Sequence, residues 1–360
     1  MSICCLPLCK AARLQHHPIS FELVALKDNN KPAGKGQEKQ EYDPLEDLVQ
    51  SIETICTHYF SPEKSAELLD DLNGYPRRFK RELNRKDRTL QGFIDTLDEF
   101  NALVKSSLES TIPLHLQKKH LVPLDLTQRI LDQTFSRTVS PQVHLLKEYK
   151  NGTDNVYGEL MPRFVDRIIK ETGLKSHHVF ADLGSGVGNV VLQVALQAGC
   201  ESWGIEMMDN PAKLARKQHI EFRARCRRWG IKPGKTRLIH GSFLDDGSEI
   251  NDVLKRADVL LINNFAFQPK TNDDLKMKFL DLKEGCKIVH LKPFKAFSKI
   301  ELRNIEDVGH QLQHERKFEF FSDYVSWGAG NGDWYISIKD TEPLRKAREQ
   351  FAKRGQRAEN

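Results

Sequence analysis

The chain has 360 residues, 39% hydrophobic and 29% charged, which suits a soluble globular protein with an ample core in one or two domains. No run approaches the ~18 apolar residues of a membrane helix, so a membrane-spanning class is excluded and no membrane partner is expected. The net charge of +5 is modest, and its distribution is more informative than its size.

The opening "MSICCLPLCK" lacks a basic flank before its short apolar stretch, so no secretory signal is expected. Cys4, Cys5 and Cys9 read more plainly as a frayed terminus than as a lipidation site. The seven cysteines include no C-x-x-C pair. A disulfide framework or metal site is therefore not expected, and reduced thiols imply cytosol or nucleus. Residues 1–40 contain the polar, breaker-rich "KDNNKPAGKGQEKQE" and are expected to be disordered. Over 41–150, segments such as "DPLEDLVQSIETICTHYF" and "LTQRILDQTFSRTV" repeat apolar residues at three- and four-residue steps, which predicts a helical N-terminal subdomain.

From 151 to 340 short apolar strands alternate with helical stretches. The predicted strands are His178–Leu183, Ser202–Met207, Thr236–His240, Asp258–Asn263 and Cys286–Leu291. Nearly continuous apolar strands in this rhythm imply a parallel α/β sheet covered on both faces. "RKFEFFSDYVSW" and "GDWYISIKD" then follow with only a short Gly/Asn-rich loop between them, which predicts an antiparallel hairpin at the sheet edge. Five parallel strands plus this pair give a seven-stranded, Rossmann-like sheet. Residues 341–360 form a basic C-terminal tail.

Three stretches concentrate positive charge. "PRRFKRELNRKDR" holds seven basic and two acidic residues, Lys213–Arg237 holds ten basic residues against Glu221 alone, and the tail adds six against two. Any one could be a solvated helix face. Together they favour a polyanion partner and could include a nuclear-import signal.

The segment "FADLGSGVGNVVLQVA" ends a strand in Asp182 and places Gly184, Gly186 and Gly188 at alternate positions before a helix. A dinucleotide fingerprint has its last glycine one place later, and Asp182 would repel a pyrophosphate. A carboxylate there suits a cationic ligand without phosphate, and S-adenosylmethionine, with its ammonium and sulfonium groups, fits. Glu206 ends the second strand, where an acidic side chain can accept from both ribose hydroxyls. The plain alternative is a solvent-exposed strand-end acid. Asn263 ends the fourth strand in "NNFAF", where its carbonyl oxygen can orient an amine while aromatics exclude water. No prolines follow it, unlike the Asn-Pro-Pro of DNA amino-methyltransferases, which argues against a planar base amine. A turn-capping Asn is the bland reading.

"VYGEL", "DLGSGVGNVVLQVAL", "GIE", "NNFAF" and "VSW" occur in that order. On these motifs the chain resembles the disruptor-of-telomeric-silencing family, the histone lysine methyltransferases that lack a SET domain, and "WYIS" and "YPRRFKREL" resemble its fungal branch. The resemblance implies mono-, di- and trimethylation of a lysine in the globular core of histone H3 on nucleosomes. Nuclear location and roles in silencing and the DNA-damage response follow from it. It assigns Tyr157 and Glu159 to a loop over the cofactor, Asp182, Gly184 and Gln193 to its methionine part, and Gly158, Ser185, Gly186, Gly188 and Asn189 to cofactor binding in general. Glu206 falls to the ribose and Ser242 and Phe243 to adenine. Asn263, Phe267, Trp327 and Trp334 would line the methyl-transfer channel. Ser242 stands where animal members carry Asp, and Trp334 where Tyr is usual, which leaves the degree of methylation open. Histone H4, ubiquitinated H2B and DNA phosphates are further partners the resemblance brings, and a monomer is expected. The rival readings are a non-enzymatic nucleosome or nucleic-acid binder on a relict cofactor fold, and a methyltransferase with another substrate.

Overall fold

In a computed structural model of the protein, the described residues are 43–84, 90–116, 121–147, 158–294, 300–328 and 330–359. The expected disorder of residues 1–40 lies outside them. The chain divides into two compact units between residues 120 and 121.

The first unit is helical: α1 (Pro44–Tyr59), α2 (Pro62–Leu68), α3 (Tyr75–Asn84), α4 (Leu90–Leu108) and α5 (Thr111–Leu116). Asp43 caps α1, accepting from the Leu45 and Glu46 amides, and Pro44 fills the first helical position, where no donor is needed. Leu48, Val49, Ile52, Cys56 and Tyr59 recur on one buried face. Phe79 of α3 packs edge-on against Phe93 of α4 at 5.0 Å, and Tyr75 against Phe100 at 5.0 Å.

The polyanion reading of this region changes here. The Arg78 guanidinium forks onto both oxygens of Glu99, and Tyr75 Oη donates to the same carboxylate at 2.8 Å. These bonds hold the Glu99 carboxyl down at about 2. Lys80 pairs with Glu53 at 3.0 Å. Two of this stretch's cations are thus spent inside the unit. Arg78→Ala is expected to lower stability by about 1 kcal/mol, since the pair is half exposed, with the wild-type advantage present above about pH 4.3 and lost as pH falls towards 2. Urea titrations of both proteins at neutral and acid pH check this.

The second unit begins with α6 (Leu124–Thr138), which the sequence rhythm groups with the N-terminal helices. It packs instead on the sheet unit, against α8 (Asn189–Gln197) and α9 (Asp209–Arg228). Trp229 Nε1 donates to Gln133 at 3.0 Å, and Val139 and Leu146 share a cluster with Val187 and Leu214. The expected boundary at 150 therefore moves to 120/121: helical periodicity marks an apolar face but not its partner.

The other helices are α7 (Pro162–Thr172), α10 (Glu249–Leu254), α11 (Pro269–Lys278) and α12 (Glu342–Glu359). The strands are β1 (Val179–Leu183), β2 (Glu201–Glu206), β3 (Thr236–His240), β4 (Val259–Ile262), β5 (Lys287–His290), β6 (Leu312–Phe320) and β7 (Gly332–Lys339). They form one seven-stranded sheet in the order β3-β2-β1-β4-β5-β7-β6. β1 to β5 are parallel, and β7 runs antiparallel to both β5 and β6. The predicted hairpin lies at the sheet edge, but its connection, residues 321–331, is longer than expected. β6 stops at Phe320, and the "VSW" residues leave the sheet so that Val325 bridges Leu160. Phe180 joins the cluster under α7 and α8, while its neighbours Ala181 and Leu183 join the one under α10 and α11. This alternation puts core on both faces of β1.

The basic tail is helical. Leu344 anchors it, Arg345 pairs with Glu342 and Glu349, and Arg348 pairs with Glu306. Among the described residues, no helix is long and apolar enough to cross a membrane, and the four cysteines there are free and buried.

Candidate functional site

The strand order reverses between β1 and β4, and open α/β sheets bind ligands at such a switch point, beyond the carboxyl ends of the strands. A cavity of about 360 Å³ lies there, within the size of small-molecule sites.

Local backbone builds its floor. Gly184 and Gly188 hold φ of +88° and +89°, which a side chain would strain. The Gly184 and Ser185 amides both donate to the Ile205 carbonyl, folding the turn onto β2. A Cβ on Gly188 would meet Leu238 at 2.7 Å, so this glycine seats α8 rather than lining the cavity.

Two buried carboxylates face the cavity, Asp182 and Glu206, only 3% and 8% exposed. Glu206 is held at both oxygens, by the Gly186 amide at 2.9 Å and the Met208 amide at 2.7 Å. No donor reaches the Asp182 side chain among the described residues. Burial, then the like charge of Glu206, pushes Asp182 up to about 8. Burial raises Glu206 too, but its backbone donors oppose the shift. Asp182 is thus the member of the pair that holds a proton when no cation faces it. A ligand ammonium would satisfy it as a carboxylate, whereas a phosphate would keep it protonated and meet the second acid, Glu206, beside it. S-adenosylmethionine fits this donor set.

Glu206→Ala is expected to weaken cofactor binding by about 1.5–3 kcal/mol through lost charged hydrogen bonds. Because Glu206 also ties down the Gly186 and Met208 amides, the variant should melt earlier as well. Calorimetry with S-adenosylmethionine, run beside a thermal melt, measures both; unchanged affinity in the folded variant would sink the ribose assignment.

Asn189 joins two walls: its Nδ2 donates to Glu159 at 3.0 Å, and its Oδ1 accepts from Gln218 at 2.7 Å. The Glu159 segment is clamped by Ser326, whose Oγ accepts from the Glu159 amide and whose amide donates to the Glu159 carbonyl. Phe243 and Phe267 stack 6.1 Å apart with planes 25° from parallel and offer an aromatic surface. Asn263 sends Nδ2 towards the Gly158 carbonyl at 3.4 Å, leaving its buried Oδ1 with no partner among the described residues. The adjacent Asn264 is fully buried and structural: its Oδ1 accepts from the Leu291 and Lys292 amides, tying β4 to β5.

Of the residues expected from the sequence, Gly158, Glu159, Asp182, Gly184, Ser185, Gly186, Asn189, Glu206, Ser242, Phe243, Asn263 and Phe267 line the cavity. Tyr157 lies outside the described residues. Gln193 is buried beneath the site, donating to the Pro162 carbonyl and to Gln197. Trp327 stands one layer out, against Gly158 and Phe265. Trp334 departs furthest from expectation. It is fully buried between Phe164 and Phe318, with ring centroids 5.3 and 4.5 Å away, and does not line the cavity. Its position on β7 turns it into the α7 core, so its bulk acts on packing. Met207, Met208 and Thr271 line the cavity and carry no sequence signal beyond their nearness to Glu206 and Phe267.

The sheet and site define a doubly wound α/β protein of seven strands with a ligand cavity at its topological switch point. The model of the family described as histone methylation protein DOT1 matches residues 135–339, and the chain belongs to that family. It is 48% identical over 318 residues to a histone-lysine N-methyltransferase, H3 lysine-79 specific, of Emericella nidulans, covering 88% of this chain and 63% of that one. A protein of the same description from Aspergillus fumigatus is 47% identical over 328 residues, covering 90% and 62%. The chain thus spans somewhat over three-fifths of the length of these relatives. Among solved structures, an RNA methyltransferase of Salinibacter ruber overlays with a TM-score of 0.34 at 19% identity, covering 51% of this chain and 95% of that one.

Proposed function

We propose that the protein is a histone-lysine N-methyltransferase that binds S-adenosylmethionine in the β1–β4 cavity and modifies a lysine in the globular core of histone H3, the lysine-79 site its relatives are named for. The observation that carries the reading is the pairing of an unsatisfied buried carboxylate, Asp182, with an unsatisfied buried amide oxygen, Asn263 Oδ1, in one cavity of a DOT1-family chain. The first suits the cation of the cofactor and the second an N–H of an incoming amine.

When bound, S-adenosylmethionine supplies an electrophilic methyl group on a positively charged sulfur. The chain's part is to hold and to desolvate. Asp182 takes the ammonium, Glu206 the ribose hydroxyls, and Phe243 with Phe267 the adenine. Asn263 Oδ1 orients the lysine nitrogen, while Phe265 and Trp327 shield its approach. A free lysine has a pKa of ~10.4, and an apolar approach disfavours its charged form, so the amine meets the methyl group neutral. Positioning and water exclusion then account for the acceleration. Nucleosome docking, contact with histone H4, dependence on ubiquitinated H2B, a monomeric state and a nuclear location belong to the same proposal.

Labelled S-adenosylmethionine incubated with reconstituted nucleosomes, free H3 and bare DNA tests it. Label should enter nucleosomal H3 and scarcely enter free H3. Equal turnover of free H3, or label in DNA, would overturn the substrate assignment.

A further inference from the structure

The three basic stretches look alike in sequence but differ in how many cations stay unpaired along one face. In α3, Arg78 and Lys80 are engaged by Glu99 and Glu53, which leaves Arg77 and Arg81 without a carboxylate partner among the described residues. In α12, Arg345, Lys346 and Arg348 are engaged by Glu342, Glu349 and Glu306, which leaves Lys353 and Arg354. α9 has the longer unpaired row. Its buried face, with Leu214, Ala215, Gln218, Phe222 and Cys226, packs on the unit. The opposite face carries Lys213, Arg216, Ile220, Arg223 and Arg227 at alternating three- and four-residue steps, all exposed. Among the described residues, no carboxylate pairs with any of these four cations, and the ion pair of Arg225 with Glu221 lies off this stripe. Lys217 beside them meets only the neutral Gln142. The field is felt locally: burial lowers His219, and Arg223 and Arg237 lower it further.

We infer that this α9 stripe is a docking surface for the phosphate backbone of duplex DNA. From Lys213 to Arg227 it runs roughly 20 Å at 1.5 Å per residue, a straight rod of cations matched to a rod of phosphates. Its centre is Ile220, 71% exposed, and the stripe carries no aromatic side chain. A single-stranded partner would call for stacking platforms, which the stripe does not offer. Unpaired charge is also the useful kind, since no internal bond must break before a phosphate is met. The inference concerns a surface separate from the cavity and does not depend on the cavity's ligand.

The test uses the full chain and a fluorescent duplex of about 30 base pairs, titrated across 50–200 mM salt, where counterion release is measured. Replacing Lys213, Arg216, Arg223 and Arg227 with Gln should weaken duplex binding at least tenfold at low salt. It should also reduce the logarithmic salt slope by about one for each phosphate the variant no longer neutralises. Arg216→Gln with Arg223→Gln alone should give an intermediate slope, and an unchanged melting midpoint in each variant shows an intact fold. Arg345→Gln with Arg348→Gln, whose cations are already paired, should leave the duplex affinity within twofold. Wild-type duplex binding by the α9 variants, or a loss confined to acidic peptides or single strands, would overturn the inference.

Discussion

Asn263→Ala is expected to lower methyl transfer to nucleosomes by about 100-fold, the scale of losing one preorganised polar group at a reacting centre, while cofactor affinity stays within a few-fold. The split follows from where Asn263 sits. It directly follows β4, whose last residue, Ile262, pairs with both β1 and β5. Its Nδ2 is turned to the Gly158 carbonyl, which aims Oδ1 inward, buried and unpaired. A buried acceptor without a donor is costly, and an amine N–H relieves that cost only when substrate is present. The cofactor's polar groups are held elsewhere, by Asp182, Glu206 and the glycine turn. Asn263→Asp keeps the shape but offers a carboxylate, which would stabilise the charged, unreactive amine; it should also be slow, with activity recovering as pH rises. Single-turnover rates and cofactor titrations on the same preparations separate the two effects. Loss of affinity in parallel with rate would mean that Asn263 serves the cofactor instead. Asn264→Ala offers a contrast: it removes the β4–β5 tie and should lower the melting temperature before it touches chemistry.

Those two neighbouring asparagines show where sequence reading succeeds and stops. The five parallel strands are legible because each is a short apolar run with breakers on both sides, and Asp182, Glu206 and Asn263 are legible because each ends one of them. Nothing local tells Asn263 from Asn264; the difference is which one meets the Leu291 and Lys292 amides, 27 and 28 residues away. Trp334 escapes sequence reading for a similar reason. An aromatic near a strand start can face a channel or a core, and here the pairing of β7 with β6 stacks it on Phe318. The connection at 321–331 reads as a continuing strand because "DYVSW" has strand composition, yet its hydrogen bonds go to the Glu159 segment instead. Basic runs are visible, but their neutralisation is not: Glu99 lies 21 residues from Arg78, and Glu53 lies 27 from Lys80.

Asp182 carries the last and largest expected effect on binding. With no cation facing it, its carboxyl is pushed up to about 8, first because it is buried and then because Glu206 is beside it. The folded group holds its proton more tightly than the unfolded one, so the cofactor-free protein should lose stability as pH rises from about 4 towards 8. A cationic ligand reverses the preference by favouring the carboxylate. Binding S-adenosylmethionine at about pH 6.5 should therefore release close to one proton, and affinity should rise by up to tenfold per pH unit below 8, as linkage to one ionisation requires. Asp182→Asn fills the same space without a charge to lose. It should bind the cofactor about 10- to 100-fold more weakly at pH 8, in line with losing a hydrogen bond to a charged group, and show almost no pH slope. Calorimetry in two buffers of different ionisation enthalpy counts the protons directly. Equal proton release by wild type and Asp182→Asn would place the linked proton on another group, and with it the cofactor's ammonium.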